Sequence, residues 1–354
     1  MKCDRDSGED VLAAVLMASG VNAGCRHAIL RRDGRVLLAL PEDRETAAKT
    51  LQLYQPQKTK AKVVARCLEM AVNLGLYRFL LPSHVTVEAG VAATRNPKPV
   101  GVLVGSSGHL CERAVTLSQR DGAWEVAKFA SGPDAGSILS NEASMLQLLQ
   151  ANSRVPELIA LETSEAGVML RMKLMEGMSW EGEAVEPILE ILNELRLQEE
   201  WRPLEGFLEW QWIKKGFSMA NTGAAILEHL STHKVPVSIR HGDLTRPNLR
   251  VGADEKLIVH DWERGAPEGA VGFDLAHFIT QDVLFRGNYS PDEAVTRIRR
   301  NLSTSPAREW LEENGWAGRS DQLLAANLAL NTGAGYLDQR EWLVVLLQTA
   351  DSLS

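Results

Sequence analysis

Between Ser238 and Gly265 the chain reads SIRHGDLTRPNLRVGADEKLIVHDWERG. The surrounding half of the chain has mostly helical spacing of apolar residues, whereas this stretch breaks into short apolar strands joined by polar loops. Any fold for the chain must therefore set short strands among helices. Two carboxylates stand where these strands and loops meet, Asp243 in HGDLTRPN and Asp261 at the end of LIVHDWE, and Asn248 follows the first by five positions. On a tight loop Asn248 turns back, so that its amide oxygen reaches a metal that Asp243 helps to surround. A carboxylate leaving the end of an apolar strand is placed to bind magnesium, which prefers hard oxygen ligands.

Phosphoryl transfer from a nucleotide asks for such a metal, a lysine on the phosphates, a loop over them and a carboxylate to orient the attacking hydroxyl and accept its proton. Upstream, Lys128 lies in WEVAKFA, an apolar run with strand character. A buried unpaired charge is costly, so Lys128 needs a partner, and Glu142 on the following helix can supply it. Read singly, Lys128 is as simply a snorkelling surface lysine and Glu142 part of a solvated helix face.

The chain divides in sequence into three parts. Residues 1–95 form an accessory α+β domain, with a hairpin around Asp33-Gly34 and two helical segments, ETAAKTLQLYQP and KAKVVARCLEMAVNLG. The second has a broad apolar face, which is expected to dock on the next part. ATRNPKP reads as a linker. Residues 96–176 are β-rich, with strands in VGVLVG, HLCERAVTLSQ, AWEVAKFA and GVMLRMKLMEG and a helix in SNEASMLQLLQANS. Residues 177–354 are mostly helical.

The combination HGDxxxxN, HDWE and GFDLAHF, with the upstream lysine and glutamate, resembles the aminoglycoside phosphotransferase and choline kinase type family, within the protein-kinase-like fold. The resemblance covers roughly residues 98–350. It implies an α+β, bilobal fold, with a small nucleotide-binding lobe over 96–176 and a large catalytic and acceptor-binding lobe over 177–354. It implies an ATP- and Mg2+-dependent kinase that phosphorylates a hydroxyl of a small molecule, such as a sugar, amino alcohol or aminoglycoside-like compound. By that match Asp243 is the catalytic base, Asn248 and Asp261 are the magnesium ligands, and Lys128 with Glu142 is the lysine–glutamate pair of the small lobe. His241 hydrogen-bonds the catalytic loop, and Asp274 braces it. The backbone of Met172, Lys173, Leu174 and Met175 receives adenine. Gly105, Ser106, Ser107 and Gly108 cover the phosphates, although VGSSGHL lacks the fuller glycine pattern of protein kinases, and the two glycines serve a plain hairpin equally well.

Other classes remain open. A pseudokinase that binds nucleotide as a regulator or scaffold would use the same residues. A metal-dependent phosphohydrolase built on His241, His260, Asp261 and Asp274 would want its His-Asp pair on a helix, whereas KLIVHDWE reads as a strand. Trp201, Trp210, Trp212, Trp310 and Trp316 read first as core, and otherwise as an aromatic box for a quaternary ammonium. Glu199, Glu200, Glu205 and Glu209 read as a solvated helix or as partners for a cationic acceptor. The net charge of −8 disfavours non-specific nucleic-acid binding. The cysteines at 3, 25, 67 and 111 form no CxxC pair and read as reduced thiols. VLAAVLMASGVNAGC follows an acidic start and reads as a buried helix, not a signal. No membrane partner and a cytoplasmic location are expected, and the oligomeric state is left open.

Overall fold

The computed structural model describes residues 7–19, 25–32, 35–54, 59–81, 83–86, 99–104, 112–132, 134–165, 167–221, 224–336 and 339–349. It is a mixed α and β structure with antiparallel sheets, and it divides into two compact units, Met1–Glu176 and Gly177–Ser354.

The first unit contains α1 (Ser7–Ala18), β1 (Arg26–Arg32), β2 (Arg35–Pro41), α2 (Arg44–Leu53), α3 (Thr59–Asn73), α4 (Tyr77–Leu80), β3 (Ser83–Thr86), β4 (Val100–Val104), β5 (Glu112–Arg120), β6 (Ala123–Ser131), α5 (Ala135–Leu148), β7 (Leu158–Ser164) and β8 (Gly167–Lys173). All eight strands join one antiparallel sheet in the order β3-β1-β2-β4-β5-β6-β8-β7. β2 pairs with β4 through Leu38 opposite Leu103 and Ala39 opposite Val102, so the first 95 residues and the strands after them share a sheet.

Side-chain alternation along these strands gives the sheet two apolar faces. One face carries Ile29, Ala39, Val102, Ala114 and Phe129, and α1 covers it with Val11, Leu12, Val15 and Leu16, all buried. Ala28, Leu38 and Leu40 point the other way, into α2, α3 and α4. Only part of the apolar face of α3 is used there. Leu68, Ala71 and Val72 are buried, while Val63, Val64 and Leu74 stay exposed. Polar ties cross the same seam. His27 on β1 bonds the carbonyl of Val100 at 2.9 Å, and the Thr50 side chain lies directly against Gly101, where a Cβ would collide with it. Lys49 on α2 pairs with Glu176 and lies 5.2 Å over the ring of Trp124.

The second unit contains β9 (Met178–Ser179), α6 (Glu186–Leu195), β10 (Arg196–Pro203), α7 (Trp210–Met219), α8 (Ala224–Ser231), β11 (Lys234–Arg240), β12 (Leu249–Val251), β13 (Leu257–Val259), β14 (Ala266–Ala270), α9 (Phe273–Arg286), α10 (Pro291–Leu302), α11 (Ser305–Leu311), α12 (Ser320–Ala334) and α13 (Arg340–Thr349). Its two small antiparallel sheets run β10-β11-β14 and β13-β12-β9. Helices supply most of the core. α7 and α12 approach closely because Gly216 and Gly333 sit at their contact, where a Cβ would meet the carbonyls of Ala329 and Trp212. No helix among the described residues is long and apolar enough to cross a membrane.

The shared sheet makes a specific prediction. The four buried side chains of α1 remove apolar surface worth roughly 6–12 kcal/mol at about 1.5–3 kcal/mol each, comparable with the whole stability of a domain. A chain beginning at Lys98 also loses the partner strand of β4. It should lose cooperative unfolding and aggregate through that edge, as followed by circular dichroism in denaturant. Cooperative unfolding at an unchanged midpoint would mean that residues 99–176 fold without the first part.

Candidate active site

The candidate site in the second unit is built on the loop after β11. The carboxylate of Asp274, in the first turn of α9, is buried and accepts from two successive backbone amides. The His241 amide donates to Oδ2 at 2.7 Å and the Gly242 amide to Oδ1 at 2.9 Å. Gly242 turns the chain with φ +78, and a Cβ there would strike the carbonyl of Arg264. Glycine is what both the dihedral and the space require.

His241 is wholly buried, with its ring 4.6 Å from that of Trp262. Its Nε2 lies 3.1 Å from the carbonyl of His260, and its Nδ1 accepts from the amide of Asp243 at 3.2 Å. One neutral tautomer, with the proton on Nε2, satisfies both contacts. Burial pushes the imidazole below its ordinary value of 6.5, against the pull of Asp274 and Asp243, which favour the charged form.

Asp243 emerges from this loop with a quarter of its side chain exposed. Its Oδ1 is met by His277 Nε2 at 3.3 Å and by an Arg264 guanidinium nitrogen at 3.8 Å. Arg264 is itself stacked 4.2 Å over Tyr336. His277 stands three residues after Asp274 on α9, hence on the same helix face, so one helix turn both braces the loop and contacts its carboxylate. His277 and Arg264 were not singled out from the sequence. The signal for His277 lies in GFDLAHF, where an i, i+3 spacing joins it to Asp274.

The loop's far end delivers Asn248. Its Nδ2 donates to the carbonyl of Asp243 at 2.9 Å, which commits the nitrogen and leaves the amide oxygen as the group on offer. β12 and β13 pair with Leu249 opposite Val259, and the His260 amide donates to the Asn248 carbonyl at 3.1 Å. The hairpin thereby brings Asn248 beside His260, with Asp261 the next residue. Asp261 takes a left-handed φ of +70, which turns it off the strand's direction. An amide oxygen and a carboxylate at one end of a hairpin are a donor set fitted to a hard divalent cation. Among the described residues no group of three or more His, Cys, Asp or Glu stands together as a metal cluster, and the His260-Asp261 pair does not lie on a helix.

The first unit holds the other candidates. Lys128 projects from β6 on the face opposite Phe129 and Ala127, and its ammonium donates to both oxygens of Glu142 on α5 at 2.7 and 2.8 Å. Glu142 is fully buried and Lys128 is partly buried. Met172 and Lys173 end β8. The Lys173 amide donates to the Glu157 carbonyl and the Leu174 amide to the Trp124 carbonyl, each at 2.9 Å, and Met175 follows. Gly105, Ser106, Ser107 and Gly108 lie outside the described residues.

Among the described residues no ring contact joins any two of Trp201, Trp210, Trp212, Trp310 and Trp316. Trp310 and Trp316 are core residues whose indole nitrogens donate to Asn193 Oδ1 at 2.7 Å and to the Val271 carbonyl at 2.8 Å. Glu209 is buried beside Arg240 at 3.3 Å, and Glu200 pairs with Arg202.

No protein-family model matches the chain, and no curated protein does. Solved structures similar to it include a choline kinase from Streptococcus pneumoniae, at 15% identity and a TM-score of 0.39, over 68% of this chain and 89% of that one. The aminoglycoside phosphotransferase APH(3'')-Id from Streptomyces rimosus is 18% identical with a TM-score of 0.42, over 62% and 89%. A choline kinase from Cryptosporidium parvum is 11% identical with a TM-score of 0.41, over 70% and 87%.

Because His241 stays neutral when folded, the unfolded chain binds its proton first as pH falls below about 6.5. Stability contributed by His241 is present above that value and is lost as pH falls toward the lower folded value. Buried His27 and half-buried His233, also pushed down by desolvation, act in the same direction. His241→Gln should reduce the acid-side slope of unfolding free energy against pH by up to about 1.4 kcal/mol per pH unit, measured by urea unfolding between pH 7 and 5.

Proposed function

We propose that this chain is an ATP- and Mg2+-dependent phosphotransferase that moves the γ-phosphate to a hydroxyl of a small molecule. The observation that carries it is the loop fixed by Asp274, which presents the Asp243 carboxylate while the Asp243 carbonyl fixes the amide of Asn248. The shared spacing of HGDLTRPN, HDWE and GFDLAHF supports the same reading.

The roles follow from the chemistry of each group. Asp243 orients the acceptor hydroxyl and takes its proton. Both contacts to its side chain fall on Oδ1, which leaves Oδ2 for that proton. The hydroxyl oxygen forms its bond to the γ-phosphorus as the bond to the bridging oxygen breaks, and ADP leaves with that oxygen's electrons. Asn248 and Asp261 would hold Mg2+, which supplies charge neutralisation on the phosphate oxygens. Lys128, held by Glu142, steadies the phosphates, and residues 96–176 form the nucleotide-binding lobe. The amides of Lys173 and Leu174 are already committed, so they are not the donors to an adenine edge met by the backbone of residues 172–175.

Asp243→Asn is expected to keep nucleotide binding while turnover falls by about 10²–10⁴-fold, the usual span of a general-base contribution. Turnover near that of the unaltered chain would remove Asp243 from this role. Asp261→Ala should abolish the strengthening of ATP binding by Mg2+, read by calorimetry with and without the metal. An undiminished effect of Mg2+ in that variant would place the ligand elsewhere.

Lys128 needs a compensated test. Lys128→Met alone strands the buried Glu142 carboxylate at a cost of about 3–5 kcal/mol. Lys128→Met with Glu142→Gln removes both charges, and should lose phosphoryl transfer while keeping most of the denaturant midpoint. Retained transfer in that pair would refute the assignment.

A further inference from the structure

The second unit contains a cavity of about 420 Å³ walled by the start of α6, by α9 and by α10. That is within the range of small-molecule sites. It adjoins the loop just described. Arg246, three residues past Asp243, lines it, as does Phe278, which follows the His277 that contacts Asp243.

The charges of the cavity fall into two groups. One group is built into a chain of contacts. Arg246 pairs with Asp282 and donates to the Gly182 carbonyl, with its guanidinium 4.7 Å over Trp180 and 5.7 Å over Phe278. Arg286 pairs with the same Asp282 at 2.8 Å and with Glu183 at 2.9 Å. These two carboxylates are consumed by these two arginines.

The other group is Arg297 and Arg300, three residues apart on α10 and so on one helix face. Among the described residues neither has a carboxylate partner. Arg297 rests 4.2 Å over Tyr289, which sets the plane of its guanidinium, and its nitrogens remain available. α10 itself is firmly started by Ser290 and Glu293, which cap each other's backbone amides, with Pro291 in the first turn. Glu186 is the remaining carboxylate of the wall, so the uncommitted charges sum to positive in a chain whose net charge is −8. Two guanidinium forks on a rigid helix are suited to an anionic group with two or three oxygens.

We propose that this cavity binds the acceptor, and that the acceptor is a hydroxylated small molecule bearing an anionic group, a phosphate or carboxylate, held by Arg297 and Arg300. The proposal rests on the phosphotransferase reading for the word acceptor. The anion site itself rests only on the cavity and its arginines.

The test uses the full chain and equilibrium binding by calorimetry, with inorganic phosphate, glucose 6-phosphate, glucuronate, glucose and glucosamine as probes. ADP release is assayed in parallel with ATP and each sugar. The anionic probes should bind more tightly than glucose or glucosamine. Arg297→Gln with Arg300→Gln should weaken anionic binding by roughly tenfold or more per arginine, since hydrogen bonds to charged groups carry that much. The two neutral or cationic sugars should be unaffected, and the thermal midpoint should hold because both side chains are exposed. Phosphate against glucuronate identifies which anion the pair prefers. The proposal is overturned if glucose or glucosamine binds as tightly as the anionic probes, or if the double substitution leaves anionic binding unchanged. Arginine-dependent anion binding without ADP release from any bound sugar would leave the anion site standing and remove the phosphotransferase reading.

Discussion

Asp274 holds the second unit's loop in place with one carboxylate. Two consecutive backbone amides, those of His241 and Gly242, point at its two oxygens. That convergence needs the left-handed turn at Gly242. It also needs α9 to begin where it does, after Gly272 at φ +103, whose Cα lies against Trp316, itself tied to the Val271 carbonyl. A buried amide without an acceptor costs about 1–3 kcal/mol, so both termini of this arrangement are fixed by the same bonds. A carboxylate in the first turn of a helix is also favoured by the positive end of the helix dipole. Asp274 thus organises a loop 32 to 33 residues earlier in sequence. The placement of the His241 ring, the Asp243 carboxylate and the committed amide of Asn248 all follow from that anchoring.

The first unit solves a different problem. A lysine on a strand meets a fully buried glutamate on a helix, and the geometry must be good because desolvation penalises the glutamate's charge. The sheet supplies it. β6 is paired with β5 over its whole length and with β8 from Glu125 to Ala130, with α5 packed over the Lys128 face and α1 over the Phe129 face. A strand held on both edges and both faces leaves Lys128 little freedom to leave Glu142. The front of the chain contributes directly to that rigidity, since α1 covers residues of β6 as well as those of β2 and β4.

What the sequence disclosed depended on how local the causes were. Strands of alternating or continuous apolar residues, such as β2, β4 and β6, and helices of clear period, such as α6, were legible because each residue's neighbours imposed the pattern. β14 was not. Its sequence, Ala266 to Ala270, contains Pro267 and Gly269, and it is a strand because β11 pairs with it. β10, with its run of charges from Arg196 to Pro203, is likewise held by β11. The same division applies to the site. The contact between Lys128 and Glu142 could be anticipated, because one buried charge demands another. The contacts of His277 and Arg264 with Asp243 could not, since nothing near either residue in sequence names its partner. The continuity of the sheet across residue 95 was hidden for a similar reason. Leu38 and Leu103 are ordinary strand residues, and only their pairing joins the segments.

Under the proposed role of Asp243, the two contacts on its Oδ1 bear on how it would act. In a loose transition state for phosphoryl transfer the attacking oxygen acquires little bond before the leaving oxygen departs, and its proton becomes acidic late. A strong base then has little to offer early, whereas a misdirected hydroxyl forfeits the in-line approach. In the proposed role, the contacts around Asp243 favour direction over proton affinity. His277 comes from a helix and Arg264 from the segment after β13, and they meet a single oxygen of the carboxylate. Arg264 is steadied by Tyr336, and His277 by the same helix that carries Asp274. With contacts to one oxygen from two elements, the other oxygen of the carboxylate stays open, and in the proposed role it would draw the hydroxyl. In that role part of the orientation cost would be met in folding rather than at each turnover.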